Sequence, residues 1–348
     1  MTSPAAPLLQ YLMQPLALWL DDDATEDIAI NEPGRAWVRH HGVWDAVELP
    51  LTLAELEDIA VLAGSLRRQE VAPLAPLCAT ELPGGERLQI CIPPCVPQGT
   101  VALSIRKPEQ GVAPLSEINN RYQTADWNRC RAARAERELD PLLALYDTAE
   151  LGRFLAAATR GKLNILLCGQ TGAGKTTLSK SILAAIPDTE RLITIEDTLE
   201  LTISQPNNVR LLYSKDDRDG TQVGAEDLLQ ASLRMRPDRV LLQELRDDAA
   251  WTYLTSICSG HPGSVTTIHG RDAGDALRRL FLLVKASPAG RAMERDAIVE
   301  LIAASIDVIL PLFMLAPDQD KRIGIGAVWF AAAAAGRGET AGDLLRAA

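Results

Sequence analysis

The chain has 348 residues, of which 47% are hydrophobic and 23% charged, and its formal net charge is −11. This length and composition predict a globular protein of two domains and exclude a disordered chain. Residues 1–107 carry 14 acidic and 7 basic side chains, which argues against nucleic acid as a direct ligand. The six cysteines lack the paired spacing of a zinc site or a disulfide framework.

The first 20 residues contain no charged side chain, so they require a test for a targeting segment. Prolines and glutamines interrupt the stretch, and a secretory signal needs a basic start and an unbroken apolar core. The apolar residues instead have helical spacing, which predicts a short helix packed on its own domain. Peripheral membrane contact through this helix is a second interpretation. The apolar stretch 301–316 contains Asp307 and Pro311, so it is not expected to span a bilayer.

Residues 1–107 are expected to form a small α+β N-terminal domain. A capping pair, Thr52 with Glu55, predicts the start of a helix over 52–69. Strands are predicted at 27–31, 36–39, 88–92 and 100–105. A connector follows at 108–150. It includes an arginine-rich run, 129–137, which fits a solvated helix better than a nucleic-acid contact because glutamates interleave with the arginines.

The third region, 151–348, begins with the strongest motif of the chain, a match to Gly-x-x-x-x-Gly-Lys-[Ser/Thr]. An apolar strand precedes the motif and a helix follows it, so backbone N–H groups and the helix dipole would face a phosphate. In such loops the lysine reaches the oxygens of the β- and γ-phosphates, and the threonine hydroxyl binds Mg2+. We therefore predict that the chain binds ATP through Gly169, Gln170, Thr171, Gly172, Ala173, Gly174, Lys175, Thr176 and Thr177.

Two further strands are predicted to end in carboxylates. The first ends at Glu196, to which we assign the orientation of the attacking water; an acidic turn in solvent is the alternative. The second ends at Glu244, expected on the strand next to the phosphate loop, where it would hold Mg²⁺ directly or through water. Arg236 and Arg246 flank this second strand and could act across a subunit boundary, or form ordinary ion pairs.

Two of the four histidines, His261 and His269, lie eight residues apart in a segment rich in glycine, serine and threonine. A histidine in the core is the commoner explanation for either one. In this context, His269 is predicted to sense the γ-phosphate or to couple hydrolysis to motion. Zinc is not expected, because no cysteine completes a ligand set.

The order of these four motifs resembles the secretion-superfamily traffic ATPases, and the sequences at 243–247 and 259–264 are most similar to the type IV secretion branch. The resemblance covers about residues 85–348. It implies a RecA-like P-loop domain with a mixed, mainly parallel sheet over 151–348. It also implies a hexameric ring in which nucleotide lies between the two domains of each subunit. The segment at 104–108 resembles the end of the family's front domain, and by this resemblance Arg106 contacts the nucleotide phosphates.

The resemblance therefore implies an ATP-hydrolysing motor, a homo-hexamer, at the cytoplasmic face of the bacterial inner membrane. It would energise pilus assembly and substrate export together with other inner-membrane and cytoplasmic ATPase components of a type IV secretion system. Two alternatives remain open from the sequence. One is a type IV pilus or type II secretion assembly or retraction ATPase. The other is a nucleotide-gated docking scaffold with little hydrolysis.

Overall fold

A computed structural model describes residues 5–108, 139–214, 223–247, 249–316 and 323–347 of the chain. The arginine-rich run 129–137 and most of the predicted connector lie outside these residues. Among the helices in the described ranges, none has both the length and the apolar character that a bilayer span requires.

The front domain, residues 5–108, is a six-stranded antiparallel sheet with helices packed on it. Its strands have the order β3-β2-β1-β6-β5-β4. The helices are α1 (Ala5–Leu12), α2 (Ala17–Leu20) and α3 (Leu53–Leu66). The strands are β1 (Thr25–Glu32), β2 (Arg35–His40), β3 (Val43–Glu48), β4 (Leu77–Glu81), β5 (Arg87–Cys91) and β6 (Ala102–Arg106).

Local signals explain the front-domain helices. Thr52 and Glu55 form the expected capping box, in which each residue satisfies a backbone N–H of the other at the start of α3. The N-terminal segment is helical and packs on its own domain, since Leu9 and Leu16 are fully buried. Leu18 of the same segment is 74% exposed.

The C-terminal domain, described over residues 139–347, is a mixed, mainly parallel α/β structure, which confirms the predicted fold class. Two sheets have the orders β10-β8-β9 and β11-β7-β12-β13, and β14 pairs with β12. Its strands are β7 (Ile165–Gly169), β8 (Leu192–Glu196), β9 (Asn208–Leu212), β10 (Arg239–Leu242), β11 (Val265–Ile268), β12 (Val308–Met314), β13 (Ile323–Ile325) and β14 (Trp329–Phe330).

Helices follow most of these strands and cover the sheets. They are α4 (Asp140–Asp147), α5 (Leu151–Arg160), α6 (Lys175–Leu183), α7 (Ala225–Ser232), α8 (Ala249–Cys258), α9 (Ala273–Ala286), α10 (Pro288–Arg291), α11 (Arg295–Ser305), α12 (Ala331–Gly336) and α13 (Ala341–Ala347).

A parallel bridge between Glu244 and Thr267 joins the two sheets. The strands β7 to β12 are therefore all parallel to one another. We call the edge at which these parallel strands end the carboxyl edge and the edge at which they begin the amino edge.

The front domain packs against the amino edge of the C-terminal domain and along the edge strand β9, where Leu212 N–H donates to the Cys95 carbonyl oxygen at 2.8 Å. Arg191, which directly precedes β8, is completely buried there. Its guanidinium donates to Asn31 Oδ1 at 3.0 Å and Ser104 Oγ at 3.2 Å in the front domain, and to the Asn207 side chain at 2.5 Å. Burial lowers the pKa of Arg191 to about 10. This buried guanidinium therefore ties the two domains together through polar contacts within one chain.

Candidate nucleotide site at the carboxyl edge

The phosphate loop lies between β7 and α6, as expected. Every residue of β7 is buried, because β11 and β12 pair with it on its two sides. Gly172 and Gly174 have φ angles of 82° and 83°, a left-handed conformation that favours glycine. Gly174 is also the N-cap of α6, so the first free N–H groups of this helix open onto the loop. The loop therefore has the backbone geometry of an anion site.

Lys175 is the cation of this loop. Its Nζ donates to the carbonyl oxygens of Gly169 at 2.8 Å and Gln170 at 3.1 Å. Burial lowers the pKa of Lys175, and the negative charge of Glu244 partly opposes this change. The two side chains are thus in electrostatic contact, although 69 residues of chain separate them.

Glu244 comes from the strand two positions away from the loop strand. We expected β10 next to β7, and this expectation was wrong: β11 lies between them. Glu244 still reaches the loop because it follows the end of β10 and bridges to Thr267 of β11. Glu244 thus lies just beyond the end of β10, at the carboxyl edge, where parallel strands carry their ligand-binding residues.

His269 and Arg246 surround the Glu244 carboxylate. His269 Nε2 lies 3.0 Å from Glu244 Oε1 in a contact that lacks hydrogen-bond alignment. Arg246 donates to Glu244 Oε2 and, at 3.1 Å, to Asp197 Oδ2. Because β11 pairs with β7, His269 directly follows the strand beside the phosphate loop. Glu244, His269 and Arg246 therefore form one polar cluster next to Lys175.

Glu196 also lies at the carboxyl edge, but its surroundings differ from the expectation. Its carboxylate is completely buried and accepts hydrogen bonds from Thr194 Oγ1 at 2.8 Å and from the backbone N–H groups of Glu200 and Leu201 at 2.9 and 2.8 Å. Arg210 of β9 donates to both oxygens at 2.9–3.1 Å. All of the carboxylate's acceptor directions are used within the protein, so it is placed to hold the turn after β8 and not to orient a water.

Arg106 and Arg236 lie at the opposite edge from the loop. Both line a cavity of about 740 Å³ beside the front domain, together with Arg39, Arg87 and Lys107. Arg236 Nε is 3.6 Å from Asp27 of the front domain. Burial raises the pKa of Asp27, and the charges of Arg106, Arg236 and Arg39 oppose this rise.

The separation of the two edges follows from the strand length. A five-residue strand such as β8 extends roughly 16 Å, at ~3.3 Å per residue. Arg106 therefore lies away from the phosphate loop of its own subunit in this arrangement, and its predicted contact with the nucleotide phosphates stays a prediction. Arg236 is likewise too far from its own subunit's loop to act there. His261, which precedes β11, shares this amino edge, and its pKa is lowered by burial.

The residues at the loop fit a magnesium ion bound together with nucleotide phosphates. Within the described ranges, no three acidic, histidine or cysteine side chains come together as a metal cage. Thr176, in the first turn of α6, and Glu244 are oxygen donors on the two sides of the loop. Mg²⁺ usually takes one or two protein oxygens and completes its shell with phosphates and water, which matches this sparse donor set.

The sequence analysis did not identify two arginines whose contacts matter in this region, Arg210 and Arg191. Arg210, which neutralises Glu196, lies on a strand that we did not predict, and the alternating burial of β9 was the available signal. Arg191, which joins the domains, was visible only as a charged residue before an apolar strand. Such a residue at the start of a buried strand is an indication that its charge has a partner in the tertiary structure.

The chain is similar to known proteins over most of its length. The sequence profile of the family described as "Type II/IV secretion system protein" matches residues 134–323, which is more than half of the chain. Protein VirB11 of Rhizobium radiobacter is 52% identical over 341 residues, covering 97% of this chain and 98% of that protein. Type IV secretion system protein PtlH of Bordetella pertussis is 36% identical over 322 residues and 92% of each chain.

A solved structure agrees over almost the whole length. It is the crystal structure of the VirB11 ATPase from the Brucella suis type IV secretion system in complex with sulphate. The two chains superpose with a TM-score of 0.85 at 31% identity, over 94% of this chain and 95% of that chain.

Proposed function

The chain belongs to the VirB11 family of type IV secretion ATPases, and on that premise we propose that it hydrolyses ATP as a ring-forming, hexameric motor. The observation that carries the proposal is the convergence of Lys175, Glu244 and His269 on the phosphate loop at one edge of the sheet. The 52% identity to a VirB11 protein favours this branch over the pilus and type II secretion motors.

In this proposal the loop N–H groups and Lys175 bind the β- and γ-phosphates, and Thr177 contributes to the edge of the site. Thr176 and, through water, Glu244 would hold Mg²⁺. The ion would neutralise charge on the phosphate oxygens. The attacking water's oxygen bonds to the γ-phosphorus while the bond from that phosphorus to the β–γ bridging oxygen breaks. The electron pair of the broken bond stays on the oxygen of the leaving ADP, and a proton of the water ends on the released phosphate. Positioning and charge stabilisation account for such a reaction without a covalent intermediate.

We assign the orientation of the attacking water to Glu244 and His269 in place of Glu196. The Glu244 carboxylate lies beside Lys175 and has one oxygen without an aligned hydrogen bond, whereas the Glu196 carboxylate is enclosed by Arg210 and backbone donors. His269, with a side chain 48% exposed, can contact both the carboxylate and the γ-phosphate.

Arg106 and Arg236 enter the proposal through the neighbouring subunit. In a head-to-tail ring, one surface of a subunit faces a different surface of the next. The cavity that holds these arginines would face the carboxyl edge of the neighbour, where the two cations could neutralise transition-state charge in trans. Arg246 differs, because its contacts with Glu244 and Asp197 keep it in the site of its own subunit.

The site of action that we propose is the cytoplasmic face of the inner membrane, together with the other ATPase and inner-membrane components of the secretion system. The N-terminal segment with exposed Leu18 is compatible with peripheral contact there.

Phosphate release from ATP by the purified chain, with Mg²⁺ and with a chelator, tests the enzymatic part. Magnesium-dependent release that saturates with ATP is expected. Binding of ATP without release would instead identify a nucleotide-gated scaffold. Particle images with a nonhydrolysable ATP analogue test the ring, and six-fold particles are expected.

A further inference from the structure

The hairpin formed by β12 and β13 extends past the phosphate loop and presents apolar side chains to solvent. β12 pairs in parallel with β7 so that Leu312 lies opposite Gly169, the first residue of the loop. The next residues of β12 therefore run alongside the loop itself. Met314 and Ile323, which face each other across the hairpin, are 64% and 40% exposed.

These two side chains touch the glycines of the loop. A methyl group added at Gly174 would collide with Ile323 Cδ1, and one added at Gly172 would lie 3.8 Å from Met314 Sδ. Both glycines have positive φ angles and belong to the backbone that would bind phosphate. The apolar pair is thus continuous with the anion site.

The sheet order determines in which direction a bound nucleotide must extend. β7 has β11 on one side and β12 on the other. Glu244 and His269 are on the β11 side, so a γ-phosphate that reacts must point toward them. The α-phosphate, ribose and base then extend to the β12 side, where the hairpin lies.

We propose that Met314 and Ile323 form the platform on which the nucleobase of the bound triphosphate rests. The inference rests on the proposed function, since it needs nucleotide in the loop. A flat heteroaromatic ring gains by covering apolar surface, and a methionine sulfur makes favourable contacts with aromatic rings. Covering this pair would also remove two large exposed apolar side chains from water.

The chemistry of the platform indicates what it recognises. The side chains of Met314 and Ile323 have no N–H, O–H or carbonyl group with which to recognise a base edge. Selection between adenine and guanine requires such groups. The platform therefore contributes affinity for a purine ring as such and does not distinguish ATP from GTP.

Binding measurements with matched ligands test this role. Isothermal titration would compare ADP, GDP and inorganic tripolyphosphate on the wild type, Met314→Ala and Ile323→Ala. We expect each truncation to weaken ADP and GDP by a similar factor of about five to ten, from loss of apolar contact. Tripolyphosphate, which has no base, should bind as it does to the wild type.

Two controls separate the platform from general damage to the hairpin. Met314→Leu keeps an apolar surface and should retain most of the ADP affinity. Phe313→Leu changes a side chain on the opposite face, where its ring packs over Gly324, and should leave all three ligands unaffected.

Unchanged ADP affinity in both alanine variants would overturn the inference and leave the proposed function intact; Met314 and Ile323 would then be surface for another subunit or partner. Equal weakening of tripolyphosphate and ADP would also overturn it, because the side chains would then act by shaping the loop. A wild type that binds none of the three ligands would refute the proposed function itself.

Discussion

At the residue scale, the two carboxylates at the carboxyl edge differ in their surroundings. Glu196 is buried and bonded to Arg210 and to two backbone N–H groups. Glu244 is flanked by Arg246, His269 and the charge of Lys175. A carboxylate at the end of a parallel strand can therefore either stabilise the following turn or take part in the reaction. The side chains and backbone groups around it determine which of the two roles it has.

Replacing Lys175 with alanine should abolish phosphate release and weaken nucleotide binding at least tenfold. The lysine supplies charge-assisted hydrogen bonds, which are worth about 1.5–3 kcal/mol each. Phosphate release and ADP titration would measure both effects. Lys180→Ala, a change on the same helix beyond the loop, is the matched control and should behave as the wild type. Near-normal turnover in the Lys175 variant would remove the basis for assigning this loop to ATP.

Glu244→Gln should leave ATP bound while slowing hydrolysis about 100-fold or more, since a positioned acid–base group contributes roughly 10²–10⁴ in rate. Single-turnover phosphate release with ATP in excess over its dissociation constant separates the chemical step from binding. A proportionate loss of affinity and rate would mean that Glu244 holds the nucleotide without acting on water.

Glu196→Gln should instead lower stability. The amide is neutral, so it cannot form an ion pair with Arg210, and it can accept hydrogen bonds at only one of the two former oxygen positions. We therefore expect the free energy of unfolding to fall by about 1–3 kcal/mol. Urea denaturation would measure this change. Full stability combined with a severe loss of turnover would restore Glu196 to the catalytic role first assigned to it.

At the element scale, β8 and β10 extend from the domain interface to the carboxyl edge, where we propose the nucleotide site. Arg191 precedes β8 at the interface, and Glu196 ends the same strand. β10 likewise leads from Asp238, which accepts from Arg191 N at 2.7 Å, toward Glu244. Two short, buried strands therefore run from the contacts of Arg191 with the front domain to the carboxyl edge.

Arg191→Ala should lower the free energy of unfolding by about 2–4 kcal/mol, because it removes the guanidinium that donates to Asn31 Oδ1, Ser104 Oγ and the Met235 carbonyl oxygen inside the protein. Calorimetry should also show the front domain unfolding separately from the rest. Arg153→Ala removes an arginine that is 75% exposed and should change little. A single transition at the wild-type temperature would contradict the role of Arg191 in joining the domains.

At the scale of the whole molecule, the chain separates two clusters of cations. Lys175 and Arg246 lie at the carboxyl edge, and the cavity with Arg106 and Arg236 lies at the amino edge beside the front domain. One subunit cannot use both clusters on one nucleotide. A closed ring can, because it brings unlike surfaces of neighbouring subunits together.

Mixing Lys175→Ala subunits with Arg236→Ala subunits should therefore restore hydrolysis that neither variant has alone. In a random 1:1 ring a site is complete when its own subunit supplies Lys175 and its neighbour supplies Arg236. Up to roughly a quarter of wild-type turnover is expected from such pairing. Wild-type specific activity should also rise with protein concentration. No recovered activity, with turnover independent of concentration, would leave Arg236 as an ion-pair partner of Asp27.

A second mixture serves as the control. Arg246 contacts Glu244 within its own subunit, so an Arg246→Ala subunit lacks part of the same site that Lys175→Ala damages. If Arg246 is needed for turnover, this pair should not complement. Recovery here would show that Arg246 also acts across the boundary.

The sequence by itself determined the features that depend on neighbours along the chain. The phosphate loop, its strand and its helix lie within 20 consecutive residues, and the capping box of α3 spans four. Backbone conformation and short-range hydrogen bonds set such motifs, so the residue pattern is sufficient to predict them. Burial patterns were weaker guides: β3, an edge strand exposed along most of its length, was not predicted.

Only the tertiary structure decided which distant residues meet. The order of strands put β11 between β7 and β10, paired Arg210 with Glu196, and moved Arg106 and Arg236 away from the loop of their own subunit. Strand order depends on how whole faces are buried against one another, and many orders are compatible with the same local patterns. The role of a charged side chain follows from the partners that this packing gives it.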